Sequence, residues 1–196
     1  DVTSVVTALV TFGLALIVLR GFLDGAPMGF SLIDVMPGLP IAFGVEPLGM
    51  VFALLASGLW IVVAIYAIGY MRANEEGHQT RFAICFALAI GAALGIAFAG
   101  NLFTLFIFYE VLTLSTYPLV AHKQTPEARA GARIYLTILL TTSIGFLLPA
   151  IIWVWTATGT LDFFPGGSIE GRIDPVLVPV LLALFAYGIG KAALMP

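Results

Sequence analysis

Charge is what this sequence has least of: only 10% of its 196 residues are Asp, Glu, Lys or Arg, against about 25% in soluble domains. Eight Lys and Arg stand against eleven Asp and Glu, a net charge of −3 with no basic run. That excludes a nucleic-acid footprint and a polybasic patch for a membrane surface. A single cysteine, Cys85, sits in an apolar run, which excludes an internal disulfide framework and a cysteine zinc site. It reads as a small buried hydrophobe. Also missing are a glycine-rich phosphate loop, a nucleophile elbow, a metal-ligand cluster and a haem motif. No cofactor is therefore expected in this chain, and a membrane-embedded enzyme acting by itself is disfavoured.

What fills the sequence instead is apolar, with 61% hydrophobic residues and a mean hydropathy of +1.09. Crossing about 30 Å of hydrocarbon takes roughly 20 mostly apolar residues. Six stretches approach that length: Thr3–Leu19, Pro47–Tyr70, Phe82–Ala99, Asn101–Val120, Ala130–Trp155 and Pro175 to the chain end. Their unbroken apolar runs lack the alternation of an outer-membrane barrel strand. The fold class is all-α, a polytopic transmembrane helix bundle forming a single transmembrane domain over residues 1–196. Asp1 is no initiator methionine and no polar tail precedes Pro196, so a piece of a longer membrane protein is expected.

The loop 21–46 is rich in Gly and Pro, with short alternating pieces such as Ile41–Val45, and is expected to form a small hairpin over one membrane face. Gly100-Asn101 joins its two flanking stretches so tightly that they must be antiparallel neighbours. Asp174-Pro175 suits an N-cap and first turn for the last stretch. Arg72, Arg81, Lys123, Arg129 and Arg133 lie on one side of the membrane and only Arg20 and Arg172 on the other. The positive-inside rule puts the first group in the cytoplasm. Trp153 and Trp155 then fit an aromatic belt at the external surface.

Two charges remain inside apolar stretches, Glu110 and Lys191. Glu110 is about 13–15 Å from the start of its stretch at 1.5 Å per residue, near the bilayer midplane. An ionised group there costs about 2.5–3.5 kcal/mol on insertion scales, so it must face a partner, face a wet cavity or carry a proton. Thr113 and Tyr117 follow at i+3 and i+7 and form one polar stripe with it. Lys191 lies about 24 Å beyond Pro175. Tyr187 is one turn earlier, Gly188 and Gly190 permit close helix approach, and Pro196 frees the carbonyl of Ala192. A Glu and a Lys together form a switch whose protonation depends on their separation. The bland alternative is a static ion pair stapling helices, or a lysine that snorkels to the surface.

Thr137, Thr141 and Ser143 either extend a polar path or bond a backbone carbonyl one turn back. His78 and His122 read first as solvated loop histidines and second as sites of proton uptake from the cytoplasm. Glu75, Glu76, Lys123, Glu127, Arg129 and Arg133 read as solvated loop charges, the last two also suited to lipid phosphates or a neighbouring subunit.

The segments IAFGVEPLGMVFALLASGLWIVVAIYAIGYMR, FAGNLFTLFIFYEVLTLSTYPLVAH and YGIGKAALMP resemble the antiporter-like proton-conducting subunits of respiratory complex I, membrane-bound hydrogenases and multisubunit sodium/proton antiporters. They most resemble the D-type subunit of the antiporters and its complex I counterpart, the M-type subunit. The resemblance implies that Glu110 is the essential glutamate of the family's fifth helix and Lys191 the lysine of its broken seventh helix. It makes Thr3–Leu19 the second helix, so that one helix before Asp1 and a second half after Pro196 are expected, out of about fourteen in two inverted repeats. It implies an integral multi-pass protein of a bacterial or archaeal cytoplasmic membrane, partnered by other membrane subunits, lipid, protons and Na+ or another monovalent cation, with no nucleic acid. Its function would be proton translocation or cation/proton antiport, driven by an ion gradient or by a redox arm on other subunits, as in an NADH:quinone oxidoreductase-like translocase. The alternative is a structural anchor or assembly subunit whose buried charges only specify helix packing.

Overall fold

The computed structural model describes residues 2–26, 28–164 and 166–190. Its elements run α1 (Val2–Leu23), β1 (Gly29–Met36), β2 (Leu39–Gly44), α2 (Pro47–Ala73), α3 (Gln79–Ala97), α4 (Leu102–Val120), α5 (Pro126–Thr142), a π-helical turn (Ser143–Leu147), α6 (Leu148–Thr158) and α7 (Val178–Ile189). Five helical segments among the described residues are long and apolar enough to cross a membrane, α5 through α6 counting as one of 33 residues. α7 is apolar and shorter.

α1 packs on α2, α2 on α3, α3 on α4, α4 on α5, and α7 on the π turn. Many large apolar side chains, Leu59, Ile65, Ile134 and Leu182 among them, are exposed around the bundle. The apolar surplus thus faces outward, where lipid or neighbouring helices replace water. Small residues set the closest contacts: a Cβ on Gly95 of α3 would stand 2.3 Å from the Phe108 ring of α4.

The expected hairpin is present as antiparallel β1 and β2, joined at Pro37-Gly38 with Gly38 in the left-handed region at φ +81°. It is laced to the α3–α4 connection. Gly44 N donates to Phe98 O at 2.8 Å, and Gly100 N donates to Ala42 O at 2.8 Å.

The helix boundaries differ from those expected from the sequence by up to four residues, and two of the differences have a clear local cause. The stretch placed at Ala130–Trp155 begins at Pro126, where the Thr125 hydroxyl caps Ala128 N at 3.1 Å, and it is interrupted by the π turn. Pro149 has no N–H for the carbonyl of Gly145 and its ring crowds that carbonyl, and a widened turn relieves the conflict. Asp174 does accept from Val176 N at 2.9 Å, yet α7 starts at Val178 rather than Pro175. Pro179 cannot bond back to the carbonyl of Pro175, so residues 175–177 form turns instead.

Candidate proton-transfer site

The site is carried by α4, and α4 is held from its first residue. The side-chain oxygen of the N-cap Asn101 accepts from Thr104 N at 2.8 Å, while its amide nitrogen donates to Pro40 O of β2 at 2.9 Å. The Thr104 hydroxyl accepts from Ala42 N at 2.9 Å. Asn101 and Thr104 are fully buried, so these bonds form in an apolar setting where an unpaired group is costly. Hairpin and helix start are therefore one unit, and the height of every later α4 residue follows from it.

Glu110 is eight residues beyond Leu102, about 12 Å up a helix of 1.5 Å rise, and both of its carboxylate oxygens are buried. Thr113 is buried on the same side, its hydroxyl donating to Tyr109 O at 2.9 Å. Tyr117 is half-buried one turn further on. Pro118, inside α4, has no N–H to donate to the carbonyl of Leu114, which lies between Thr113 and Tyr117 in sequence. The structure thus arrays Glu110, Thr113 and Tyr117 along one helix, with hydroxyls and a carbonyl at successive turns. Such a stripe can order water and pass protons.

The other path residues lie elsewhere. Thr137 and Thr141 of α5 are exposed, and Tyr187 of α7 is 63% exposed with its ring against Phe146 at 6.1 Å. Among the described residues they face the outside of the bundle and not the Glu110 stripe. Ser143 is buried and donates to Leu139 O at 3.0 Å, the local backbone bond open to such residues. Lys191 lies outside the described residues.

Sequence reasoning missed Tyr109. Its buried hydroxyl donates to Ile189 O and, at 3.3 Å, to Gly188 O, the last residues of α7. Gly188 packs directly on the π turn: a Cβ there would stand 2.5 Å from Leu147 N. The residue beside Glu110 therefore holds the end of the helix that leads in sequence to Lys191. The available signal was a tyrosine next to an intramembrane glutamate, one of several aromatics in the same run.

Residues 99–196, half of the chain, match the model described as the NADH:quinone oxidoreductase/Mrp antiporter transmembrane family. The chain belongs to that family. Residues 37–83 match a second model, the N-terminus of chain 5 of NADH-ubiquinone oxidoreductase (complex I). Similar curated proteins include a probable K(+)/H(+) antiporter subunit of the A/B type from Rhizobium meliloti, 29% identical over 84% of this chain and 17% of its own length. The N-type NADH-quinone oxidoreductase subunit of Desulforudis audaxviator is 30% identical over 81% of this chain and 32% of its own. The A1-type Na(+)/H(+) antiporter subunit of Staphylococcus aureus is 24% identical over 81% and 20%. The chain thus spans a third or less of the length of these relatives. They are different subunit types, so what they share with it is the family. A solved chain in the membrane-bound sulfane sulfur reductase, an archaeal respiratory membrane complex, superposes with a TM-score of 0.78 at 24% identity, over 95% of this chain and 38% of that one. The antiporter-like helical bundle expected from the sequence is thus the observed fold.

Proposed function

We propose that this chain is part of a proton- or cation/proton-translocating subunit of a multisubunit membrane complex, with Glu110 as a proton-carrying residue of its path. The observation that carries the reading is a carboxylate with both oxygens buried near mid-height of an apolar helix, continued by Thr113 and Tyr117. A buried carboxylate at that depth is costly as a passive ornament and useful as a proton carrier. Membership of a family whose relatives are named as cation/proton antiporter and NADH-quinone oxidoreductase subunits supports the same reading.

In this reading Glu110 modulates whether Lys191 holds its proton, and the proton passes onward to groups outside this chain. The partners are other membrane subunits of a complex I-like or antiporter assembly, and the moved ions are protons with Na+ or another monovalent cation. The test is proton-gradient dissipation or cation/proton exchange in inverted vesicles carrying the whole complex, wild type against Glu110→Gln, with assembly checked on the same sample. Lost transport in an assembled complex supports the proton-path role. Unchanged transport overturns it and leaves the buried carboxylate as a packing device.

A further inference from the structure

At the far end of α4 the structure gathers a second set of titratable groups. His122, two residues past the helix, has its backbone carbonyl accepting from Arg81 Nη2 of α3 at 2.8 Å. Its ring meets Phe82 edge-on at 5.6 Å between centroids and lies with Nε2 4.0 Å from the Glu76 carboxylate of the α2–α3 loop. The imidazole is only 15% exposed and Glu76 25%. Neither ring nitrogen has a hydrogen-bond partner among the described residues. The solvated loop histidine expected from the sequence is thus a held and largely buried one. His78, by contrast, is exposed.

We propose that His122 and Glu76 form a proton-loading site at the Lys- and Arg-rich mouth of the α4 stripe, taking protons from bulk water for delivery toward Glu110. The inference rests on the transport reading above. A histidine that serves only packing normally satisfies at least one ring nitrogen. Here the backbone around the ring is held while both nitrogens are buried without a partner among the described residues, so the ring carries hydrogen-bonding capacity that a proton and a small shift toward Glu76 would satisfy. Imidazole is the side chain whose ordinary titration falls in the physiological range. At 4.0 Å Glu76 is too far for a direct hydrogen bond and near enough for one relaying water or a small side-chain shift.

Access comes from a cleft of about 500 Å3 lined by both residues, with Tyr66 and Tyr70 of α2 and Lys123 on its walls and Ala128 from the start of α5. Among the described residues that line this cleft or bond His122, the other titratable or charged groups are those tyrosines, Glu76, Lys123 and, through the carbonyl, Arg81. Both loops that form the site are locally strained: Glu75 and His78 on one and Gln124 on the other have φ between 51° and 58°. Such backbone persists where surrounding structure enforces it, often at functional positions. Inward, the polar groups along the stripe are Tyr117, the Leu114 carbonyl that Pro118 cannot bond, and Thr113, over about 18 Å between His122 and Glu110.

The test uses inverted vesicles bearing the whole complex, whose cytoplasmic face meets the bath. His122→Ala is expected to lower transport roughly tenfold or more in an assembled complex, and imidazole added to the bath to restore much of it. Glu76→Gln is expected to lower the rate by a smaller factor. Unchanged transport in His122→Ala, or a loss that imidazole does not rescue, overturns the loading site. If His122→Ala does not assemble, Glu76→Gln decides: a wild-type rate overturns the proposal and a lowered one supports it. Glu110→Gln separates the two readings. If it transports normally, the transport reading itself fails, whereas a Glu110→Gln complex that no longer transports, beside a normal or unrescued His122→Ala, removes only the loading site.

Discussion

Replacing Gly188 by Ala tests how the end of α7 is placed. The added methyl would stand 2.5 Å from Leu147 N and 2.7 Å from Leu147 Cα, both backbone atoms of the π turn. Backbone in the middle of a 33-residue helical segment cannot step aside as a side-chain tip can, so α7 must retreat by roughly 1 Å to reach ordinary contact. Overpacking of this kind costs about 1–3 kcal/mol, against a gain of about 1 kcal/mol from replacing glycine in a helix. The retreat also stretches the Tyr109 hydroxyl away from the Gly188 and Ile189 carbonyls, a loss of about 0.6–1.7 kcal/mol inside a membrane. The expected net effect is destabilisation by about 1–3 kcal/mol. It is read as earlier detergent- or heat-induced unfolding of the purified whole complex. A double-mutant cycle sharpens the test, because Tyr109→Phe should cost less in the Gly188→Ala background by about 0.5 kcal/mol or more. A Gly188→Ala complex as stable as wild type, or strictly additive costs, would refute the close packing of α7 on the π turn.

Two further substitutions probe the rest of the scaffold. Gly95→Ala should destabilise by about 1–3 kcal/mol, because its methyl meets the Phe108 ring at 2.3 Å, and Phe108→Leu in the same chain should recover part of it. Thermal unfolding of the two variants checks this, and no recovery would mean that the backbone and not the ring limits the contact. Asn101→Ala removes the cap on Thr104 N and the bond to Pro40 O together, at a cost of roughly 2 kcal/mol. It should loosen the hairpin, seen as faster limited proteolysis within residues 29–44, and unaltered protection would show that the strands are held by other contacts.

The fold was largely legible because its signals are long and redundant. Runs of about twenty apolar residues mark the spans, and the Gly/Pro-rich segment before Glu46 marks the hairpin. Glu110 was legible for the opposite reason, as one charge where the local composition forbids it. What stayed hidden depends on contacts between residues far apart in sequence. Tyr109 reads as another aromatic until its hydroxyl is seen on Ile189, 80 residues away. His122 reads as a loop histidine until Arg81, 41 residues before it, is seen on its carbonyl. The π turn sits between: Pro149 announces a disturbance of the helix, but the same residue would also suit a simple kink.

Three polar side chains at the start of α4 and along it reach main-chain groups on other elements: Asn101 to Pro40, Thr104 to Ala42, Tyr109 to Gly188 and Ile189. Main-chain partners fix the height of α4, and with it Glu110, whatever the surrounding side chains do. The last of these anchors differs from the others because it ties the site to a helix end. Any movement of the α7 terminus relative to Glu110 must break or slide the Tyr109 bond. With about 0.6–1.7 kcal/mol in that bond, Tyr109→Phe should shift such an equilibrium roughly 3- to 20-fold while removing a single oxygen atom. The expected result is an assembled complex with an altered transport rate in inverted vesicles. A rate equal to wild type would show that α7 is placed by its packing on the π turn alone, with no part played by the hydroxyl next to Glu110.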